Sequence, residues 1–326
     1  MDNLEEMKKK KVVFCWLGLC CLWVQLFGQV SDYTEWYLRT PDTLNHYHHD
    51  IYVREMGTGK DTVLVIHGGF GANHDYMLDA IRGLEHQYHF VLYDQRGSLL
   101  SPGPEDQLTF EKNVHDLDLL IGQLKLQKVK IMAHSMGTLV AMEYVHKYPK
   151  KVSNLVLIGA IPTQSDSLGS VFSKRYEENV HFLSTRDEIK ALPIYKKYKQ
   201  LNGKFESDLD YSDLDRLRFA ATNIYKIERY KKMRGGFSYF MENASGMFNT
   251  VNWNYDYRAS LNDKCITTLI QGDFDFIDFK ATKHIELLKP YPKVKVVLIQ
   301  QAGHNIWIDA PVEFRKALNM ALKRAS

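Results

Sequence analysis

The feature that most constrains the fold of this 326-residue chain is an apolar run that ends in a serine and continues at once as a helical run. Residues 129–134 (VKIMAH) are typical of a buried β-strand, and residues 139–145 (LVAMEYV) are typical of a helix. The tight turn between them needs small residues, which Ala133 and Gly137 supply. The pattern predicts that Ser135 is exposed at a strand end and that the Met136 N–H lies at a helix N-terminus. The alternative is an ordinary strand-to-helix turn that contains a serine.

Other apolar runs predict a parallel sheet around this strand. They are continuous rather than alternating, which is typical of strands buried on both faces. An amphipathic helix is predicted from Thr109 to about Lys125, with Thr109 as its N-cap. Strands that alternate with such helices predict an α/β fold with a mostly parallel sheet flanked by helices. The runs lie at residues 61–66, 89–93, 129–134, 152–158, 265–270 and 293–299.

The remaining segments divide the chain. Residues 33–57 alternate polar and apolar side chains, which predicts edge strands of a β-meander. Residues 163–258 are rich in charged residues and tyrosine and have helical periods, which predicts an inserted helical cap. The predicted domains are therefore a core of residues 30–162 and 259–326, interrupted by the cap, and a separate leader at residues 1–29.

Three chemically useful segments follow predicted strands, and these ends share one edge of a parallel sheet. The first is His67-Gly68-Gly69-Phe70-Gly71, whose glycines free a backbone N–H to point inward. The second contains Asp275, with Asp273 and Asp278 as alternative acids, and the third ends in His304. A serine needs a base to accept its proton and a carboxylate to orient that base. The order Ser135, Asp275, His304 therefore predicts a catalytic triad.

These motifs resemble the α/β-hydrolase superfamily over roughly residues 45–322. Within it, the chain is most similar to the proline iminopeptidase family of serine peptidases. Residues 67–71 resemble that family's HGGPG, with Phe70 in place of proline, and Asp94-Gln95-Arg96-Gly97 resembles its DQRG segment. Residues 133–137 resemble its G-x-S-x-G turn.

The resemblance implies roles for several residues. Ser135 is implied as the nucleophile, Asp275 as the acid and His304 as the base, while Gly69 and Met136 supply the oxyanion N–H groups. Phe70 is expected near the substrate.

The cap departs from the family at one place. The family holds the substrate amine with glutamates, one of them just upstream of a Tyr-Phe pair. Here Gly235 and Gly236 precede Tyr239-Phe240, and Glu242 follows the pair. Glu242 is the predicted substitute for the missing glutamate. Asp94 and Arg96 are expected to brace loops through ion pairs.

The N-terminus predicts export. Lys8 to Lys11 precede the apolar residues 12–27, and Gly28 is a small residue at a plausible cleavage point. A cleaved signal peptide, and hence a secreted or periplasmic protein, is the first interpretation. An uncleaved membrane anchor is the alternative, and a lipoprotein is disfavoured because the large Leu19 precedes Cys20. Cleavage leaves Cys265 as the only cysteine, without an intramolecular disulfide.

Composition excludes some functions and leaves others open. The net charge is +3 and no basic block alternates with aromatic residues, so no nucleic-acid partner is expected. His46, His48 and His49 fit no closed set of metal ligands, and neither a metal nor a cofactor is expected.

The leading hypothesis is a serine hydrolase acting on a small amide or ester or a short peptide, such as an aminopeptidase. The alternatives are a carboxylesterase or lipase and a catalytically silent binding protein.

Overall fold

The computed structural model describes residues 33–41, 48–205, 207–234 and 242–324, without the side chains of residues 242, 243 and 245. From Thr34 onward they belong to one compact unit. The predicted leader and His46 lie outside the described residues. Within the described ranges, no helix is long and apolar enough to cross a membrane.

An eight-stranded sheet organises the described residues. Its strand order is β1-β2-β4-β3-β5-β6-β9-β10, and the separate short strands β7 and β8 pair with each other. The strands are β1 (Tyr33–Thr40), β2 (His49–Met56), β3 (Asp61–Ile66), β4 (Tyr88–Tyr93), β5 (Val129–His134), β6 (Val152–Ile158), β7 (Gln164–Ser165), β8 (Tyr255–Asp256), β9 (Ile266–Gly272) and β10 (Lys295–Ile299).

The six strands from β4 to β10 in the sheet order are parallel, as the continuous apolar runs predicted. Ile66 pairs with both Tyr93 and Ala133, so β3, β4 and β5 end at the same level. One N-terminal prediction is wrong. β1 lies at the edge, but β2 is an interior strand that pairs antiparallel with β4. Its residues Ile51 and Val53 are fully buried, because the chain inserts β2 between β1 and the parallel strands.

Helices cover the sheet and fill the long connection between β6 and β9. The predicted helix after Thr109 is confirmed, and the Thr109 hydroxyl accepts a hydrogen bond from the Lys112 N–H. The described helices are α1 (Met77–Ile81), α2 (Phe110–Gln123), α3 (Met136–Lys147), α4 (Leu168–Val171), α5 (Lys174–Ser184), α6 (Asp187–Ala191), α7 (Pro193–Gln200), α8 (Asp208–Asn223), α9 (Arg258–Asp263), α10 (Thr282–Leu288), α11 (Ile306–Asp309) and α12 (Pro311–Lys323). Short 3₁₀ helices span Glu105–Gln107, Ile227–Lys232, Glu242–Thr250 and Phe279–Ala281.

The connection between β6 and β9 has its two ends side by side. Ser165 of β7 pairs with Tyr255 of β8, and Gln164 pairs with Asp256. Described residues between these two strands are helical or irregular. We call residues 163–258 the helical segment, and their status as a separate cap domain stays a prediction.

The core lies on both faces of the sheet because side chains alternate along each strand. Ile131 and Ala133 of β5 pack into one apolar cluster, which includes Leu139 of α3. Met132 between them points to the other cluster, which includes Phe314 of α12. Burial on both faces fixes the strand register, and with it the position of every strand end.

Candidate active site

The turn between β5 and α3 holds Ser135 in a strained backbone conformation. Its φ and ψ are 52° and −128°, a region that residues with a side chain rarely adopt. The neighbouring backbone compensates for this strain. The Ser135 N–H donates to the Ile158 carbonyl at 3.0 Å, and the Ser135 carbonyl accepts from the Thr138 N–H at 2.8 Å. Ser135 is partly exposed although its neighbours are buried.

Close backbone contacts explain why this turn needs small residues. A Cβ on Gly137 would lie 2.3 Å from the His67 carbonyl oxygen, and a Cβ on Gly68 would lie 2.5 Å from Ser135 Cβ. Both positions therefore exclude any side chain. Ala133 is fully buried, and its methyl group is accommodated where the usual pattern has its first glycine.

The two predicted oxyanion donors lie on neighbouring strand ends. Met136 is the first residue of α3, where backbone N–H groups are not used by the helix itself. Gly69 follows β3 with a φ of +66°, which favours glycine. Both N–H groups therefore belong to segments that flank Ser135. Their role as oxyanion donors stays a prediction.

His304 and Asp275 are in direct contact. The two carboxylate oxygens of Asp275 lie 3.0 and 2.9 Å from His304 Nδ1, and both side chains are buried. A carboxylate only accepts, so Nδ1 carries the proton and a neutral His304 has an unprotonated Nε2. Among the described residues, Ser135 Oγ makes no hydrogen bond. A contact between Ser135 Oγ and His304 Nε2 therefore stays a prediction.

The two alternative acids have other partners. Asp273 accepts from the Ala302 N–H at 3.1 Å. Asp278 lies 2.8 Å from His284 Nδ1, and this pair is fully buried. The structure thus brings Asp275, rather than Asp273 or Asp278, to His304.

Two further residues position His304, and neither was predicted from the sequence. Gly159 follows β6, and a Cβ there would lie 2.8 Å from His304 Nδ1 and 2.9 Å from Asp275 Oδ2. Asp309 is buried and accepts at 2.8 Å from each of the N–H groups of Gly303, Tyr225 and Lys226. Burial raises the pKa of Asp309, and the three backbone donors oppose that rise. A glycine directly after a buried strand was the one available sequence signal.

A chain of aromatic rings runs from His304 across the helical segment. The ring centroids of Phe276 and His304 are 4.5 Å apart, and those of Phe276 and Tyr176 are 5.6 Å apart. At the other end, the Phe70 ring lies 5.0 Å from that of Phe248. Phe70 is fully buried, so its predicted contact with substrate stays a prediction. The chain comprises Phe276, Tyr176, Phe172, Phe248 and Phe70.

Glu242, the predicted partner of a substrate amine, begins the 3₁₀ helix Glu242–Thr250. Its side chain lies outside the described residues. The helix continues to Phe248 in the aromatic chain, which brings this part of the helical segment to the candidate site.

Asp94 and Arg96 brace loops, as predicted. Arg96 donates two hydrogen bonds of 2.6 and 2.7 Å to Asp116, and this ion pair is buried. Asp94 accepts from the His74 N–H at 2.9 Å and from the Leu100 N–H at 3.2 Å.

No metal site was found in the part of the chain that the structure describes, where no three His, Cys, Asp or Glu side chains form a suitable group. Of the predicted histidine tract, His49 is buried and its Nε2 lies 3.0 Å from the Ser101 carbonyl oxygen. Cys265 is a free, half-buried cysteine whose thiol pKa is raised by burial.

A known family matches most of this sequence. The sequence pattern of the alpha/beta hydrolase fold matches residues 61–311, well over half of the chain. This chain belongs to the alpha/beta hydrolase fold family. Its sequence resembles those of proline iminopeptidases. This family and these relatives indicate that the chain is a hydrolase.

Three comparisons illustrate the resemblance. A proline iminopeptidase of Pestalotiopsis fici is 23% identical over 76% of this chain and 86% of its own length. A proline iminopeptidase of Lactobacillus delbrueckii subsp. bulgaricus is 26% identical over 82% of this chain and 92% of its own. A thermophilic esterase structure from Thermogutta terrifontis superposes with a TM-score of 0.61, at 19% identity, over 88% of this chain and 98% of the esterase.

Proposed function

We propose that this chain is a serine hydrolase that cleaves a small amide or ester through an acyl-enzyme formed on Ser135. His304 acts as the base and Asp275 as the acid that orients it. The observation that carries the proposal is the contact between His304 Nδ1 and the Asp275 carboxylate, at 2.9 and 3.0 Å, beside a strained Ser135 turn. That contact leaves Nε2 of His304 free to accept a proton.

The reaction follows from these positions. Ser135 Oγ attacks the substrate carbonyl carbon, and its proton moves to His304 Nε2. The carbonyl oxygen becomes an oxyanion that accepts from the N–H groups of Met136 and Gly69. His304 then gives its proton to the leaving amine or alcohol, and an acyl-enzyme remains. Water attacks this ester with His304 again as base, which releases the acid and restores Ser135.

A fluorophosphonate probe tests the nucleophile. We expect the probe to label the wild-type protein at Ser135 and to leave Ser135→Ala unlabelled, with the fold retained by circular dichroism. The matched control is Ser184→Ala, since Ser184 is an exposed serine of α5. Equal labelling of wild type and Ser135→Ala would overturn the assignment. Absence of any labelling in the folded wild type would favour the catalytically silent binding protein.

An amide substrate with a free amine is the first candidate substrate class. The proline iminopeptidase relatives support it, as does the position of Glu242 in a helix that reaches the aromatic chain. A carboxylesterase is the second candidate, because a chain of aromatic rings extends from His304 to Phe70. Hydrolysis of aminoacyl arylamides against p-nitrophenyl esters of matched acyl groups separates the two.

Export belongs to the same proposal. The four lysines at residues 8–11 and the apolar run at residues 12–27 support a leader that is removed. Its removal yields a secreted or periplasmic enzyme. Intact-mass analysis of the protein from its native host should show the loss of about 28 residues, the position of Gly28 in the leader pattern. A retained N-terminus in the membrane fraction would favour the anchor.

A further inference from the structure

His134, the residue before Ser135, lies at the centre of a buried group of rings. Its ring centroid is 4.4 Å from that of His304 and 5.0 Å from that of Trp307. Tyr76 packs edge-on against it at 5.5 Å. His134 is almost completely buried. Nothing in the triad chemistry uses this histidine, so its polar contacts need a separate explanation.

Both nitrogens of His134 have hydrogen-bond partners. Nε2 lies 3.2 Å from the backbone carbonyl oxygen of His304, and Nδ1 lies 2.9 Å from Tyr76 Oη. Tyr76 Oη also accepts a hydrogen bond from the Gly68 N–H. These contacts join Gly68, Tyr76, His134 and His304 in one continuous chain.

The direction of every hydrogen bond in this chain is determined. A carbonyl oxygen only accepts, so His134 Nε2 carries the proton and donates to His304. A neutral imidazole has one N–H, so Nδ1 is an acceptor and the Tyr76 hydroxyl donates to it. The Gly68 N–H only donates, and the second role of Tyr76 Oη is to accept from it. No donor or acceptor in the chain is left in conflict.

The ionisation states agree with this direction. Burial lowers the pKa of His134 well below its usual value; the charge of the neighbouring His304 lowers it further, and the hydrogen bond to the His304 carbonyl opposes this shift. Burial raises the pKa of Tyr76, so its hydroxyl keeps its proton. A protonated His134 would place an N–H against the Tyr76 hydroxyl and a positive charge beside His304. The neutral form is therefore the one that fits.

The hydrogen-bonded chain links the His304 loop to two neighbouring strand ends from which the sheet separates it. Gly68 lies in the loop after β3, His134 ends the adjacent strand β5, and His304 lies after β10. β10 is three positions away from β5 in the sheet, so no strand pairing holds the His304 loop against the Ser135 turn. The His134–His304 hydrogen bond spans this distance, and Tyr76 extends the link to the residue before Gly69.

We propose that Tyr76 and His134 are positioning residues that hold the oxyanion loop, the Ser135 turn and the His304 loop in register for catalysis. The proposal rests on the proposed serine hydrolase function. Misplacing catalytic groups by about 1 Å costs on the order of 100-fold in rate, so such a link has a measurable effect.

The first test is steady-state kinetics of Tyr76→Phe with an ester or arylamide substrate that the wild type cleaves. We expect kcat to fall roughly 10- to 100-fold with little change in KM, because the geometry and not the substrate contact is altered. The matched control is Tyr144→Phe. Tyr144 lies in α3, the helix that follows Ser135, and its hydroxyl donates a hydrogen bond of 2.9 Å to Asp118. The control should keep its kcat.

A double-mutant cycle isolates the chain. His134→Gln places an amide near the Nε2 position and keeps the donor to His304, but loses the acceptor for Tyr76. His134→Asn keeps an acceptor near Nδ1 and loses the donor. Tyr76→Phe removes the acceptor of the Gly68 N–H in every background. Because only the His134→Asn background still has an acceptor for the Tyr76 hydroxyl, adding Tyr76→Phe should lower kcat less in the His134→Gln background than in the His134→Asn background. Equal losses in both backgrounds would overturn the proposed chain.

Nitrogen NMR of histidine-labelled protein gives a readout that does not require catalysis. In the wild type, His134 Nδ1 should appear as an unprotonated nitrogen and Nε2 as a protonated one. Tyr76→Phe should shift the Nδ1 signal, because its donor is lost. A protonated Nδ1 in the wild type would overturn the proposal even if hydrolysis is normal. A different outcome is the expected spectrum in a protein that fluorophosphonate does not label. It would mean that the hydrogen bonds of Tyr76 and His134 exist but that the proposed serine hydrolase function is wrong.

Discussion

The Ser135 turn and the helical segment both border the candidate site, but different interactions hold them in place. The turn is fixed by backbone contacts: Gly68 and Gly137 approach neighbouring atoms so closely that a Cβ would lie within 2.5 Å of them. Ser135 itself is held by backbone hydrogen bonds to Ile158 and from Thr138.

The helical segment is held by long polar side chains. Arg186 donates to the backbone carbonyls of Ala221, Ile224 and Tyr225. Asp309 accepts from Tyr225 and Lys226 of the segment and from Gly303 in the His304 loop. These contacts connect residues that are distant in sequence, and each depends on one charged side chain.

Because different interactions hold the two regions, substitutions in them are expected to change different measured quantities. The turn and the His304 loop carry the proposed nucleophile and base, so changes there should act on kcat. The helical segment supplies Tyr176, Phe172 and Phe248 of the aromatic chain. It also supplies the N–H groups of Tyr225 and Lys226 that bind Asp309, so changes there should act on stability and on substrate affinity.

The largest expected effect is the loss of a reacting group. His304→Ala should lower kcat about as much as Ser135→Ala, because the triad acts as a unit. Asp275→Asn should lower kcat by about 10⁴-fold, since the amide no longer holds the Nδ1 proton of His304. Steady-state kinetics with the best ester or arylamide substrate measures both.

Asp278→Asn is the matched control for Asp275→Asn. Asp278 lies three residues away, is equally buried and pairs with His284 instead of His304. We expect it to lower the unfolding temperature and to leave kcat per folded molecule nearly unchanged. Were Asp278→Asn to lose as much kcat as Asp275→Asn, the acid would be misassigned.

The next largest effect concerns the contact between the two regions. Asp309→Ala leaves the N–H groups of Gly303, Tyr225 and Lys226 without their acceptor. Each buried unsatisfied group costs about 1–3 kcal/mol, so we expect the free energy of unfolding to fall by roughly 3 kcal/mol or more. Urea unfolding measures it. Asp215→Ala, an exposed partner of Arg218 in α8, should change it by less than about 0.5 kcal/mol. Similar results for both variants would show that Asp309 does not hold the regions together.

The sequence predicted local features of the Ser135 turn better than contacts between residues that are distant in the sequence. The strand before Ser135, the helix after it and the need for Gly137 are local properties, and the structure agrees with each. The candidate acid was narrowed to Asp275, with Asp273 and Asp278 left open, because all three follow β9 and only the folded chain shows which one faces His304.

The missed features depend on contacts across the sheet. β2 alternates in sequence as an edge strand does, yet it is interior because β1 covers its outer side. No local motif surrounds Asp309 or Tyr76. Asp309 binds Tyr225, which is 84 residues away in the sequence, and Tyr76 binds His134, which is 58 residues away. No local pattern signals such pairs.

A smaller effect is expected from Glu242, in substrate affinity alone. A free amine is a cation, and burying it unpaired is costly. If Glu242 binds it, Glu242→Gln should raise KM roughly 10- to 100-fold for free-amine substrates, the worth of a charge-assisted hydrogen bond, and leave N-acetylated ones unaffected. Glu228→Gln, an exposed glutamate of the same segment, is the control. A wild type that prefers blocked amines or simple esters would sink the peptidase proposal and favour the esterase.

The smallest expected effect is a difference in acid sensitivity between the two regions. Burial lowers the pKa of His134, with His304 and His67 adding to the shift, and burial also lowers the pKa of His67. Below the unfolded value of about 6.5, the unfolded state therefore binds more protons than the folded state at these sites. The free energy of unfolding must then fall as pH falls, by up to about 1.4 kcal/mol per pH unit for each such histidine.

His134→Gln removes one of the histidines that bind a proton only in the unfolded state. The free energy of unfolding should therefore fall less steeply between pH 6.5 and 5, by at most about 1.4 kcal/mol per pH unit. His181→Gln, an exposed histidine of the helical segment, should leave the slope unchanged. Thermal or urea unfolding at several pH values measures the slopes. Because stability lost on acidification reports groups that are neutral when folded, an unchanged slope in His134→Gln would mean that His134 takes up its proton in the folded state. That outcome would also contradict the neutral imidazole on which the link between the Ser135 turn and the His304 loop depends.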